Sequence, residues 1–283
     1  MSRALLALVL ALLLSTAGCS SFLGIDGRNP DSTPDTTTKS LSGELAPGLS
    51  ADGLTNPSNL VDAHSRVLQD DSYTMRVRSV GKLDGNVSSR YNATEHRGEN
   101  GSHYDLSVWH TMNSSSRANS TATYRGGAWS NGELRLSMQE RNNSASYKRT
   151  SVGHLNPSQN RPPLYSQTRN QLQSLLLAVN VTNVERIDTN SGTLRYRVTA
   201  SELTNPDALT PYYLDSVKNA SLVFVVDTWG LIHQYEFEAT GMADDRPARI
   251  TESMRLSDIG RTTVSRPSWY ERAMETGNSS RES

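Results

Sequence analysis

Few side chains in this sequence could do chemistry, and their spacing does not make them converge. The six histidines, His64, His96, His103, His110, His154 and His233, are the candidates for acid–base or metal work. If His103 and His110 share one strand, their odd offset puts them on opposite faces, so a common metal site is not expected. Glu236 and Glu238 share one strand face and read as solvated. Asp244–Asp245 reads as a loop end rather than a carboxylate pair. Trp109, Trp129, Trp229 and Trp269 could line an apolar or sugar site, but they have no common spacing and packing is the simpler use. No Gly-x-Ser-x-Gly elbow, His-Glu-x-x-His, P-loop or Gly-x-Gly-x-x-Gly occurs. We therefore expect no catalytic residue, metal or cofactor, and read the chain as a non-enzyme.

The one reactive group with a clear context is Cys19, the only cysteine. Arg3 is followed by an unbroken apolar run from Ala4 to Leu14, and Ser15–Gly18 are small. A charged start, a short apolar stretch and a small-residue end describe a secretory signal peptide over 1–18. The run is shorter than the roughly 20 apolar residues that span a bilayer. A single cysteine directly after such a signal reads as the attachment point of a lipid. Acylation also accounts for an odd thiol in an exported chain, where no disulfide can form within the monomer. The alternative is an ordinary cleaved signal with an unmodified cysteine beside it. The segment resembles the lipobox of secreted lipoproteins, with Thr16 where leucine is usual. Lipoprotein cysteines carry several acyl chains, as stable anchoring requires.

With a net charge of −1, the chain lacks the basic field that steers nucleic acids. Lys39, Lys82, Lys148 and Lys218 are its only lysines, and the other basic residues are arginines. Among its Asn-x-Ser/Thr sequons, Asn113, Asn119, Asn86 and Asn92 are the candidate glycan acceptors of an exported chain.

Residues 19–55 hold few large apolar side chains and much Ser, Thr, Asp, Pro and Gly, which predicts a flexible tether behind Cys19. Asn56–Pro57 then supplies a helix cap and a first-turn proline. Leu60, Val61, His64, Val67 and Leu68 follow on one helical face. From Tyr73 the period becomes two: Tyr73, Met75, Val77; Tyr104, Leu106, Val108; Leu134, Leu136, Met138. Weaker strands are read around 89–96, 122–129 and 145–152, with a hairpin signal at Asn131–Gly132. Leu164, Thr168, Leu172, Leu175, Leu176 and Val179 restore helical spacing. Strands resume at 183–188 and 193–201, then at Leu222–Val226, 231–239 and 248–256. A short helix is read through Leu209–Val217 and another after Pro267. Residues 56–274 thus form one α+β domain, a large antiparallel sheet with helices on one face, followed by a polar tail over 275–283.

The order helix, long meander, mid-chain helix and late turn Val226–Asp227–Thr228–Trp229–Gly230–Leu231 resembles the LolA/LppX group of lipoprotein and lipid carriers. Ala46–Pro47–Gly48–Leu49, Asn56–Leu60 with Ala63–His64, and Asp71–Ser72–Tyr73 are similar to haloarchaeal cell-surface lipoproteins of uncharacterised function. The first resemblance implies a half-open β-barrel with Leu164–Val179 as a lid. It implies an apolar cavity lined by Leu106, Val108, Leu134, Leu136, Leu172, Leu176, Tyr196, Val198 and Phe224, unless those side chains form filled core. Two functions follow. One is a lipid-anchored carrier of an apolar ligand on the outer face of the cell membrane. The other is a structural or protein-interaction lipoprotein of the envelope with no small ligand.

Overall fold

A computed structural model describes residues 43–99, 101–114, 120–141, 143–154, 163–187, 192–212 and 214–276. The first described elements lie ahead of Asn56. Strands β1 (Glu44–Ala46), β2 (Leu49–Ser50) and β3 (Gly53–Leu54) form a small antiparallel sheet. Leu45, Ala46 and Leu49 are buried in the main core, so residues 44–54 of the segment expected to be a tether are folded onto the domain. The composition of 19–55 hid this because three apolar side chains suffice when each is placed inward. Gly48 makes the connection possible: its φ is +79°, and a Cβ there would meet the Asn56 carbonyl.

Helix α1 (Pro57–Asp70) starts where the cap predicts, with Asn56 Oδ1 accepting from the Asn59 N–H at 3.1 Å. It buries Leu60, Val61, His64 and Leu68. Five long strands follow, β4 (Tyr73–Leu83), β5 (Asn86–Arg97), β6 (His103–Ser114), β7 (Ser120–Asn131) and β8 (Leu134–Arg141), and then β9 (Ser144–Ser151). Helix α2 (Pro163–Ala178) interrupts the meander. The chain then runs through β10 (Val179–Ile187), β11 (Arg195–Leu203), β12 (Ser216–Asp227), β13 (Ile232–Ala243) and β14 (Arg246–Ser257), and ends in α3 (Tyr270–Thr276). The helix read through Leu209–Val217 is a 3-10 turn over Pro206–Tyr212, and Val217 already belongs to β12.

These strands make one 11-stranded antiparallel sheet in the order β10-β11-β12-β13-β14-β4-β5-β6-β7-β8-β9. Only the β14–β4 contact is non-local, and it joins the two meanders into one surface. The end strands β10 and β9 are not paired with each other, so the architecture is an open α+β half-barrel. The β13–β14 connection turns on Asp244 and Asp245, both at positive φ, as a tight hairpin demands.

Helices α1 and α2 lie antiparallel on the face that carries Tyr73, Met75 and Glu95. Arg169 reaches Asp62 at 2.6 Å, and Gln173 donates to Ser58 Oγ at 3.3 Å. Strand pairing puts Leu134 and Leu136 on the opposite, outer face, because Leu136 pairs with Trp129 and Ala128 pairs with Leu106. There, Trp129, Leu136 and the buried Ala273 of α3 form a second, smaller core, with Trp269 and Tyr270 against it. Two helices therefore cover the inner face and one short helix covers the outer.

Candidate functional site

Period-two burial on β4 changes character along the strand. Tyr73, Met75 and Val77 fill the inner face under α1 and α2, and the same face continues as Ser79 and Gly81. The positions facing them are Tyr91 and Ser89 on β5 and Glu252 and Ile250 on β14, with Ala248 opposite Leu83. Small side chains in register leave room, and a cavity of about 530 Å³ opens there between the sheet and α2. Its volume is within the usual range for small-molecule sites, about 300–1,000 Å³. Leu83, Leu214, Ala248 and Ile250 contribute apolar lining towards the strand ends, where Lys82, Ser88, Ser89 and Asp244 also border it, and Gln167, Gln171 and Glu252 line it under the helix.

Glu252 is the chemical centre of this cavity. It sits on the inner face of β14, between Ile250 and Met254, and is 6% exposed. Its Oε1 accepts from the Tyr235 hydroxyl at 2.5 Å and its Oε2 from Gln171 Nε2 at 2.8 Å. Burial pushes its carboxyl up to about 7, against the pull of those two hydrogen bonds. Tyr91 lines the cavity wall beside His110, with the rings edge to face at 6.0 Å. Burial, helped by the Glu252 charge, pushes its phenol up to about 12.

A second buried carboxylate, on β5, fixes the start of α2. Glu95 accepts from the Tyr73 hydroxyl at 3.0 Å and from backbone N–H groups of Leu164 and Tyr165 in the first helical turn. The carboxyl therefore sits at the positive end of the helix, which favours its ionised form. Two residues along, Arg97 treats α1 in the complementary way. Its guanidinium donates to the carbonyls of Leu68 at 2.8 Å and Gln69 at 3.2 Å, closing the helix C-terminus. It also lies over the rings of Tyr73 and Tyr165, at 5.6 and 5.5 Å. Burial pushes the Glu95 carboxyl up to about 7, opposed by Tyr73 and Arg97.

The turn singled out in the sequence is a rigid corner. Asp227 Oδ1 accepts from the N–H groups of Trp229 and Leu231, both at 3.0 Å, and Oδ2 lies 2.9 Å from His233 Nε2. Gly230 has φ +86°, and a Cβ there would strike Ala63 of α1. His64 accepts the Ile232 N–H at 3.1 Å, and burial drives its pKa down to about 3. Helix α1 is thereby pinned to the start of β13, while Trp229 stands 73% exposed at the tip.

The residues expected around a cavity are placed differently. Leu106, Leu172, Leu176, Tyr196, Val198 and Phe224 are buried in the main core, and Val108 packs against it. Leu134 and Leu136 are on the outer face. None of the nine lines the cavity under α2. Their apolar character is what sends them into filled packing, whereas the cavity forms where bulk is missing. Glu95, Glu252 and Gln171 were missed, although a legible signal existed: a glutamate in the apolar phase of a strand, as in Ile250-x-Glu252-x-Met254.

Of the glycan candidates, Asn86 and Asn113 are exposed and Asn92 is half-buried. Asn113 is engaged by Val87 and Thr121 across the hairpins. Asn119 and Cys19 lie outside the described residues. No helix among the described residues is long and apolar enough to cross a membrane.

Among solved structures, the chain is similar to the Mycobacterium tuberculosis lipoprotein LppX, with 12% identity over 73% of this chain and 96% of that one, TM-score 0.31. It is similar to a DUF1329 family protein from Desulfovibrio piger, with 12% identity over 77% and 97%, TM-score 0.25. It is also similar to a LolA superfamily protein from Nitrosomonas europaea, with 9% identity over 73% and 93%, TM-score 0.22. Comparison with curated proteins finds no match. In sequence, residues 4–273 match a family of unknown function, DUF7537, and the chain belongs to that family.

Proposed function

We propose that the protein is an exported, lipid-anchored carrier that holds a small amphipathic ligand between its sheet and α2, without transforming it. The observation that carries this reading is the cavity of about 530 Å³, built from small inward residues on adjacent strands and roofed by one helix. Ser79, Gly81 and Ser89 leave room that the core elsewhere fills, and that space can take an occupant. The domain hangs from Cys19.

Native mass spectrometry of the full chain purified from membranes is expected to show a bound small molecule that organic extraction removes. Ile250→Trp, which fills the apolar side, is expected to abolish that adduct while leaving the unfolding transition within a few degrees. An adduct-free wild-type protein would defeat the carrier reading and favour the structural alternative. For the anchor, Cys19→Ser is expected to move the protein from the membrane fraction to the medium, or to leave its signal uncleaved. Membrane retention with normal processing would show that Cys19 carries no lipid.

A further inference from the structure

The outer face of the sheet carries a groove of its own. Strand pairing places Asn92 of β5 between Arg78 of β4 and Trp109 of β6, on the face away from α1 and α2. Ahead of α3 the chain comes down on β7 at Gly127, where a Cβ would strike the Trp269 ring at 2.9 Å, so the missing side chain is what lets the indole approach. Between these elements lies an open groove of about 480 Å³, lined by both indoles, which are half-exposed. Asn92-Ala93-Thr94 is one of the Asn-x-Ser/Thr sequons, and its Asn and Thr both line the groove. Three other sequon asparagines spend an Nδ2 hydrogen inside the protein: Asn86 on the Asp84 carbonyl, Asn113 on the Val87 carbonyl and Asn180 on Glu202. Asn92 has no such bond to a described residue, which leaves its Nδ2 free in the groove.

We propose that Asn92 carries an N-linked glycan whose first sugars lie in this groove, against Trp109 and Trp269. The inference rests on the export reading and is independent of the cavity under α2. In the transfer, Nδ2 loses one proton and forms a C–N bond to the anomeric carbon of a saccharide held on a lipid phosphate. The C–O bond of that donor breaks, and the lipid phosphate leaves with the bonding pair and the proton. Transfer to the extended chain before it folds accounts for a sequon inside a strand. A residue directly opposite on the next strand has its Cβ about 4.5–5.5 Å away, so Trp109 is within reach of the first sugar. A pyranose has an apolar C–H face and a polar hydroxyl edge. The indoles match the first, and Asp105, Ser107 and Arg125 supply acceptors and donors for the second. Attachment at Asn92 also holds the sugar at a high effective concentration, so modest contacts keep it seated where a free saccharide would dissociate.

The test uses the full chain isolated from the membranes of the cells that make it, in a Trp229→Phe background that removes the freely exposed indole. Peptide mass spectrometry is expected to find a saccharide mass on Asn92. Asn92→Gln is expected to raise acrylamide quenching of tryptophan fluorescence by about twofold, because Trp109 and Trp269 lose their cover while Trp129 stays buried. Thr94→Val, which breaks the sequon and keeps Asn92, is expected to give the same rise and so separates loss of the glycan from loss of the side chain. An unmodified Asn92 would overturn the proposal: with the signal cleaved the export reading stands, and with the signal intact it falls too. A glycan on Asn92 with quenching unchanged in both variants would overturn its seat in the groove. Protection of an unmodified chain by added envelope polysaccharide would overturn the covalent source and give the groove to a free saccharide.

Discussion

Arg97→Ala is expected to lower the stability of the domain by about 3–5 kcal/mol, the range seen when one partner of a buried charged network is removed. The side chain is 6% exposed and does three jobs at once. It closes the C-terminus of α1 through the carbonyls of Leu68 and Gln69, it is the cation beside Glu95, and it fills the gap between the rings of Tyr73 and Tyr165. Alanine leaves two carbonyls short of a donor, a carboxyl without its cation and a void between two aromatic rings. For a domain of this size, 1 kcal/mol moves the midpoint by about 2–4 °C, so thermal unfolding should fall by about 10 °C. Arg97→Lys should recover only part of the loss, because an ammonium cannot span both carbonyls or stack as a plane. A loss under about 1 kcal/mol for the alanine variant would show that the network is not what holds α1 to the sheet.

This network also shows where sequence reading reaches and where it stops. Local devices were legible. Asn56 caps α1, Asn131–Gly132 turns one hairpin, and the Asp227–Gly230 corner stands out as a turn because its side chains bond their own backbone. Alternation in Tyr73-x-Met75-x-Val77 announced a half-buried strand. Its continuation as Ser79 and Gly81 carries no apolar signal, so β4 looked shorter than it is, and the floor of the cavity went unseen. Period two gives alternation but not which phase faces which helix; only the pairing of β6, β7 and β8 places Leu134 and Leu136 outside. The β14–β4 pairing is non-local, and it alone puts Glu252 opposite Ser79. Spacing within one strand cannot report that. What could have been read is the pair Glu95 and Glu252, each a carboxylate in a position its strand reserves for burial. Such residues are costly unless satisfied, and both turn out to hold α2.

That cost gives the second large effect a definite sign. With its carboxyl raised from 4.5 to about 7 in the folded protein, Glu95 keeps its proton over a window in which the unfolded chain has already lost it. Below about pH 4.5 both states are protonated and the group is neutral to stability. As pH rises through that window the unfolded state gains by ionising freely, so folding weakens, and above about pH 7 both states are ionised and the loss is complete. The size is on the order of 3 kcal/mol. His64 acts in the opposite direction, since burial holds it neutral down to about pH 3 and acidification penalises the fold. Glu252 acts in the same direction as Glu95. A bare pH profile therefore mixes several titrations, whereas the difference between wild type and Glu95→Gln isolates one. Whatever glutamine costs in hydrogen bonding at low pH, its stability relative to wild type should improve by on the order of 3 kcal/mol between pH 4.5 and 8. Urea denaturation of both proteins across that range reads the difference directly. Parallel profiles would mean that Glu95 titrates alike in both states, and that Tyr73, Arg97 and the first turn of α2 fully offset its burial.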